Sequence, residues 1–305
     1  MKRFELIGLG ECMVEFFAAE PLEQAKHFER RHAGDVLNTL VMAARLGSRA
    51  GLISRVGADP FAAGLRQFWE SEAVDSSATP TVAGDNGIYF ISLDASGERS
   101  FTYRRQHSAA SGISPSDLNF DYIASSQMLL VSGITQAISE SAQATTLKAA
   151  QMAQKCGTRV AYDPNYRPSL WAKRGGLEAA RQAYHELLPL VDVLLPSSSD
   201  LQLLEIESES KLKNLPSPII ALKVADAGVY LKLGTMVTQI AASPARIADS
   251  TGAGDAWNGA FLHGLANLDA PEAAARANRI AALTLEFRGA IPAKETFLPR
   301  LEELL

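Results

Sequence analysis

Cysteine is scarce in this chain: Cys12 and Cys156 are the only two in 305 residues. Two thiols so far apart make neither a disulfide framework nor a metal site, and both read as small buried hydrophobes. Long apolar runs are missing too. No window approaches the roughly 18 uninterrupted apolar residues of a membrane span, and no charged N-terminus leads into an apolar core with a small-residue cleavage site. Basic clusters are also absent. With 29 Lys+Arg against 34 Asp+Glu the net charge is −5, which argues against general nucleic-acid binding. No Walker A phosphate loop occurs. Gly8-x-Gly10 lacks the third glycine of a dinucleotide fingerprint, since Met13 stands in its place. The chain is therefore expected to be cytoplasmic and soluble, with a small molecule rather than a membrane or nucleic acid as partner.

What is present alternates. Phe4–Gly10 reads as a buried strand, Val36–Leu46 as a helix stopped by Gly47, Ala50–Val56 as a strand, and Phe61–Glu72 as a helix. Met128–Gly133, Arg159–Asp163, Val191–Leu195 and Ile219–Val224 read as further strands. Helices from about Ser139 to Lys155 and from Leu177 to Leu188 lie between them. Short apolar strands alternating with helices predict a mostly parallel sheet covered on both faces. Tyr230–Leu233 and Thr238–Ala241 suggest an edge hairpin, and helices Ala256–Ala266 and Pro271–Phe287 are expected to close the chain.

One segment breaks this alternation. Ile88–Leu93 and Ser100–Arg105 are joined by Asp94-Ala95-Ser96-Gly97-Glu98-Arg99, a hairpin turn rich in Asp, Ser and Gly. Symmetry about Ser96 sets Tyr89 opposite Tyr103, and alternation puts Tyr103 and Arg105 on one face. Packing of the hairpin on a core accounts for the aromatics but leaves Arg105 without a partner.

The densest chemistry lies at Asp249-Ser250-Thr251-Gly252-Ala253-Gly254-Asp255-Ala256-Trp257. Glycines free the backbone to turn its N–H groups inward, and the loop ends at a helix start, where those groups and the dipole favour an anion. Asp255 then sits beside an anion site, the pairing that phosphoryl transfer uses. It is expected to stay ionised at neutral pH. An Asp in a first helical turn is equally accounted for by the dipole alone. Asp35 opens the first long helix, where it serves as a cap; Asn38, three residues on, can face the same point, where the two suit hydrogen bonds to hydroxyls. Arg167, between Pro164 and Pro168 after a strand end, faces the ligand crevice of an open sheet or stands as a solvated loop residue.

Together these passages resemble the ribokinase-like (PfkB) sugar kinases over essentially the whole chain. Asp249–Trp257 is similar to that family's C-terminal signature, and Gly34–Gly47 to its N-terminal one. Gly10–Glu15, Ala33–Thr39, Gly97–Arg105, Asp163–Trp171 and Arg288–Pro292 are most similar to its 2-keto-3-deoxygluconate kinases. Fructokinases share some of these passages, notably the loop ending Leu170-Trp171.

The resemblance implies one domain over residues 1–305: a three-layer α/β/α core with a mostly parallel central sheet, and a small β lid inserted from about 11–33 and 86–106. It implies ATP and Mg²⁺ as cofactors and a keto sugar acid as substrate, phosphorylated on its terminal hydroxyl. Asp255 would be the base, and Gly252, Ala253 and Gly254 the anion hole. Gly34, Asp35, Asn38, Tyr89, Tyr103, Arg105 and Arg167 would hold the sugar acid. Asn165, Ser197, Lys223, Asp226, Gly228 and Asn278, with Gly252 and Gly254, would face the nucleotide. Two guanidiniums, Arg105 and Arg167, suit an acid better than a neutral hexose. Two passages depart from the family. Its metal-linked Asn-x-x-Glu reads Ser197-Ser198-Ser199-Asp200, leaving the metal's holders unassigned, and only Gly228 remains of its Gly-x-x-Gly nucleotide loop. The exposed lid edges predict a homo-oligomer. A fructokinase, a non-catalytic sugar sensor and a dehydrogenase are the alternatives.

Overall fold

The computed structural model describes residues 2–94 and 96–305; Ala95 of the expected turn lies outside them. The main sheet has nine strands, in the order Met236–Ile240, Gly228–Leu233, Ile219–Val224, Val193–Leu194, Arg159–Asp163, Ser126–Ser132, Phe4–Leu9, Ala50–Ile53 and Val74–Ala78. From Ile219–Val224 to Val74–Ala78 every pairing is parallel. The first two strands form an antiparallel hairpin at one edge.

Strand periodicity explains why these segments read as unbroken apolar runs. In Phe4–Leu9, Leu6 packs into one core cluster and Ile7 into the other, both buried. Successive side chains serve opposite faces, so both must be apolar when helices cover both sides. Helices Asp35–Arg45, Ala253–Gly264 and Ala270–Thr284 cover one face, and Glu140–Lys155 and Gly176–Leu187 the other.

A second sheet stands apart from the first. Its four strands run in the order Glu29–Ala33, Met13–Ala18, Ile88–Leu93 and Arg99–Arg104. The hairpin register sets Tyr89 opposite Tyr103, and their rings stack with centroids 5.4 Å apart.

Four expectations are corrected. The Ala50–Val56 strand ends at Ile53, and Val56–Gly57 pairs separately with Thr81–Val82. The break falls at Ser54-Arg55, where Arg55 turns to Asp117 (2.8 Å). A third helix, Lys294–Leu304, closes the chain; Pro299 inside it disguises its pattern. The loop helix starts at Ala253 rather than Ala256, with Gly252 as its N-cap at φ +75°. Cys12 is buried, but Cys156 is only half-buried.

Candidate active site

The carboxyl ends of the parallel strands converge on a cavity of 1090 Å³. Strand order fixes its place. From Phe4–Leu9 the chain crosses to Ala50–Ile53 on one side, and later builds Ser126–Ser132 and its successors on the other. That switch opens the crevice in which doubly wound sheets bind ligands. All the residues expected at a site line this cavity: Gly34, Asp35, Asn38, Tyr89, Tyr103, Arg105, Asn165, Arg167, Ser197, Lys223, Asp226, Gly228, Gly252, Ala253, Gly254, Asp255 and Asn278.

The loop is shaped for an anion. Gly252 caps the helix in the left-handed region, and a Cβ there would sit 2.6 Å from the Ala290 carbonyl oxygen. At Gly254 a Cβ would meet no atom outside the adjoining helix backbone within 4 Å. The space it leaves belongs to the cavity, beside the helix's free N–H groups.

Asp255 corrects a further expectation, that of a carboxylate ionised at neutral pH. Its pKa is pushed up to about 8. Burial is the largest cause, and the nearby Asp35 and Asp163 carboxylates add to it. The Asn38 hydrogen bond and the Lys223 charge only partly oppose it. The helix dipole is a partial charge and does not offset the cost of burying this carboxylate. Asn38 donates from Nδ2 to Asp255 Oδ2 at 2.8 Å and accepts from the Gly34 N–H at 3.2 Å. The Asp35–Arg45 helix start and the 249–255 loop thus meet at one amide. Asp35 receives the Ser132 hydroxyl and the Asn165 amide (3.2 Å), and burial raises its pKa as well.

The two arginines differ. Arg105 is ion-paired with Glu11, a carboxylate only 1% exposed at the end of the Phe4–Leu9 strand. The expectation that Arg105 lacks a partner is therefore corrected. Glu11 Oε2 is left without one, and burial raises its pKa. Arg167 has no carboxylate partner among the described residues and is exposed.

On the other side, Lys223 turns inward to Asp163 (3.2 Å) and Asn258 (2.7 Å), and Asn258 in turn donates to Asp163 (2.5 Å). Asn278 accepts from the Trp257 indole (2.7 Å) and donates to the Ile240 and Ala241 carbonyls. Its amide thereby supports the cavity wall. Asp200 is 0% exposed and receives the Tyr166 and Ser197 N–H groups, so it ties two loops together rather than facing a ligand. Asp163, unlike Asp200, lines the cavity, as does Asp226.

Sequence reasoning missed Glu11 and Asp163, which line the cavity, and Asn258, which holds Asp163 and Lys223 from behind it. For Glu11 a signal existed: an acid directly after a buried strand that ends in glycines. For Asn258, one turn into an apolar helix, the signal was weak.

A family model described as pfkB family carbohydrate kinase matches residues 4–296. The chain is 30% identical to a 2-dehydro-3-deoxygluconokinase of Haemophilus influenzae, over 95% of this chain and 96% of that one. A PfkB protein from Polaromonas sp. JS666 superposes with a TM-score of 0.87 at 27% identity, covering 98% of this chain and 99% of that one. An uncharacterized sugar kinase from Pyrococcus horikoshii in complex with ATP superposes with a TM-score of 0.84 at 25% identity, covering 98% of this chain and 100% of that one.

Proposed function

This chain belongs to the pfkB family of carbohydrate kinases, and we propose that it moves the γ-phosphoryl of ATP to the 6-hydroxyl of 2-dehydro-3-deoxy-D-gluconate. The observation that carries this reading is the Asn38–Asp255 contact beside the glycine loop. It supports reading Asp255 as a proton acceptor between a polar helix start, read as the hydroxyl-binding side, and a glycine loop, read as the anion site. The H. influenzae relative's name supports the choice of sugar acid.

In this reading Asp255, once ionised, takes the proton of the attacking hydroxyl. The N–H groups at Gly252, Ala253 and Gly254 stabilise the charge that grows on the transferred phosphoryl. Alignment and charge stabilisation matter most, because the transition state is loose. Gly34, Asp35 and Asn38 hold hydroxyls, Tyr89 and Tyr103 cover the sugar from the small sheet, and Arg167 grips the carboxylate. Arg105 contributes as half of a pair with Glu11. Ser197, Lys223, Asp226 and Gly228 form the nucleotide end, backed by Asn165 and Asn278. Mg²⁺ carried on the phosphates supplies charge neutralisation when bound, and Asp163 is the carboxylate that would hold it through its waters.

A coupled assay of ADP release, run across keto-deoxy sugar acids and neutral hexoses, tests the substrate. Faster turnover of fructose than of the keto acid overturns it.

We read the small sheet as a lid and as a contact between copies of the chain. Its edge strand Arg99–Arg104 exposes Phe101 (43%) and Tyr103 (45%), which a second copy would cover. A sedimentation coefficient that stays monomeric at high concentration overturns this. Use of ATP and two unpaired thiols suit the cytoplasm.

A further inference from the structure

Arg99 opens the edge strand of the small sheet, opposite Leu93. Its Nη1 donates to Asp249 Oδ1 and, at 2.7 Å, to the Thr251 hydroxyl. Asp249 is itself the pin of the anion loop. Its Oδ1 accepts the Thr251 N–H at 2.7 Å and its Oδ2 the Gly289 N–H at 2.9 Å. It therefore joins the loop to the segment carrying Ala290, against which Gly252 packs. No atom of this carboxylate is left unpartnered. Burial works against its ionisation, but these N–H groups, the hydroxyl and Arg99 outweigh it and hold its pKa low.

The other end of the strand serves the sugar. Positions two apart share a face, so Arg99, Phe101 and Tyr103 project together, and Arg105 continues the row. Phe101, Tyr103 and Arg105 line the cavity, and Arg105 closes over the Tyr103 ring at 4.8 Å. Four residues of extended chain span about 13 Å. A single stiff strand thus touches the phosphate loop with one end and the sugar pocket with the other.

We propose that Arg99 is a positioning residue that couples the two ends of the site: it transmits ordering of the phosphate loop by nucleotide to the strand that covers the sugar acid, and the reverse. The inference rests on the kinase reading for what occupies the cavity. Its exchange arm needs nucleotide alone, so it fails separately from the choice of sugar; only the linkage arm uses the sugar acid.

Amide hydrogen exchange across 99–104 and 249–254 is measured with and without Mg²⁺ and a non-hydrolysable ATP analogue. In the parent protein the analogue slows exchange in both segments, by about 5-fold or more in the strand, the scale of ordinary coupling between sites. In Arg99→Ala the loop is still protected but the strand is not. Arg99→Lys restores part of the strand's protection, since an ammonium reaches the same carboxylate. By linkage, the analogue tightens sugar-acid binding about 5- to 100-fold in the parent and less than 2-fold in Arg99→Ala. An unresponsive strand in the parent overturns the proposal, as does a strand still protected in Arg99→Ala. If Arg99→Lys loses thermal stability and binding of both ligands to the same extent as Arg99→Ala, Arg99 is merely structural and the proposal is also overturned.

Discussion

Asn38 and Asp255 lie 217 positions apart in the chain, yet the amide of one donates to the carboxylate of the other at 2.8 Å. Each sits near a helix start: Asn38 in Asp35–Arg45, behind the Gly34 cap, and Asp255 in Ala253–Gly264, behind the Gly252 cap. The two helices pack against each other through Gly259, where a Cβ would lie 2.4 Å from the Thr39 carbonyl oxygen. The Thr39 hydroxyl adds a bond to the Asp255 carbonyl oxygen at 3.2 Å. The Asn38 amide and the Asp255 carboxylate are therefore held by the same close helix crossing.

Asp255→Asn keeps the size of the side chain and an oxygen for Asn38, but removes the proton acceptor. Turnover is expected to fall about 10²- to 10⁴-fold, with the dissociation constant for the keto acid changed less than about 3-fold. Steady-state kinetics beside calorimetry checks this, and turnover within tenfold of the parent removes Asp255 from the role.

The same residue sets a pH dependence. With a pKa of about 8 in the free protein, Asp255 is mostly protonated at neutral pH. The acid limb of kcat/KM, which reports the free enzyme, is therefore expected near pH 8 rather than near 4. Asp35 raises this pKa and Lys223 lowers it. Asp35→Asn moves the limb to lower pH and Lys223→Met moves it higher. A limb below pH 5 in the parent contradicts the reading.

Stability follows with the opposite sense. A carboxyl whose folded pKa lies above its unfolded value binds its proton more tightly when folded. Its contribution is fully present below the unfolded pKa, near 4, and is lost as pH rises to about 8. Asp255→Asn cannot ionise and escapes that loss. Its Tm is expected to exceed the parent's by about 3 °C or more at pH 9, with the gap closing towards pH 4. Calorimetry at the two pH values decides it; a gap that does not shrink on acidification rules out ionisation as the cause.

Most of the fold was legible because its physics is local. Gly47 and Gly157 stop helices, and the symmetry of the 94–99 turn is enough to set Tyr89 opposite Tyr103. The Asp249–Asp255 loop was legible for the same reason: a few consecutive residues carry a turn, a cap and an acid. What stayed hidden depends on contacts between distant segments. Nothing near Arg105 in sequence announces Glu11 as its partner. Nor does helix Ala253–Gly264 announce that burial in the folded site, with Asp35 and Asp163 from two other elements nearby, raises the pKa of Asp255. Charges brought together by a fold change one another's chemistry, and a linear pattern does not record the distance between them.

Arg167 and Arg105 separate acid recognition from pocket integrity. Arg167 has a cavity face and no competing carboxylate among the described residues, so Arg167→Ala is expected to raise KM for the keto acid about 10- to 100-fold, the worth of one charge-assisted hydrogen bond. KM for ATP and Tm should hardly change. Arg105→Ala also strips Glu11 of its partner and leaves a buried carboxylate unpaired. It should raise the same KM and lower Tm as well, while Glu11→Gln with Arg105→Ala regains stability. Equal effects of Arg167→Ala on both substrates remove it from the sugar side.

Gly252 and Gly254 are two positions apart in one loop, yet alanine at each has a different consequence. At 252 the backbone is left-handed (φ +75°) and a Cβ collides with the Ala290 backbone. Gly252→Ala is therefore expected to cost about 1–3 kcal/mol of stability. At 254 the backbone is helical and a Cβ meets no atom outside the adjoining helix backbone within 4 Å. Gly254→Ala should hold or slightly raise Tm, because alanine favours a helix over glycine by up to about 1 kcal/mol. The methyl group enters the cavity space proposed to hold the phosphoryl, so activity is expected to fall although the fold does not: kcat/KM for ATP should drop about 10-fold or more, the loss of a little over 1 kcal/mol from the transition state. Thermal melts beside ATP kinetics separate the two. A Gly254→Ala variant with unchanged kcat/KM for ATP means that the phosphoryl passes elsewhere in the cavity.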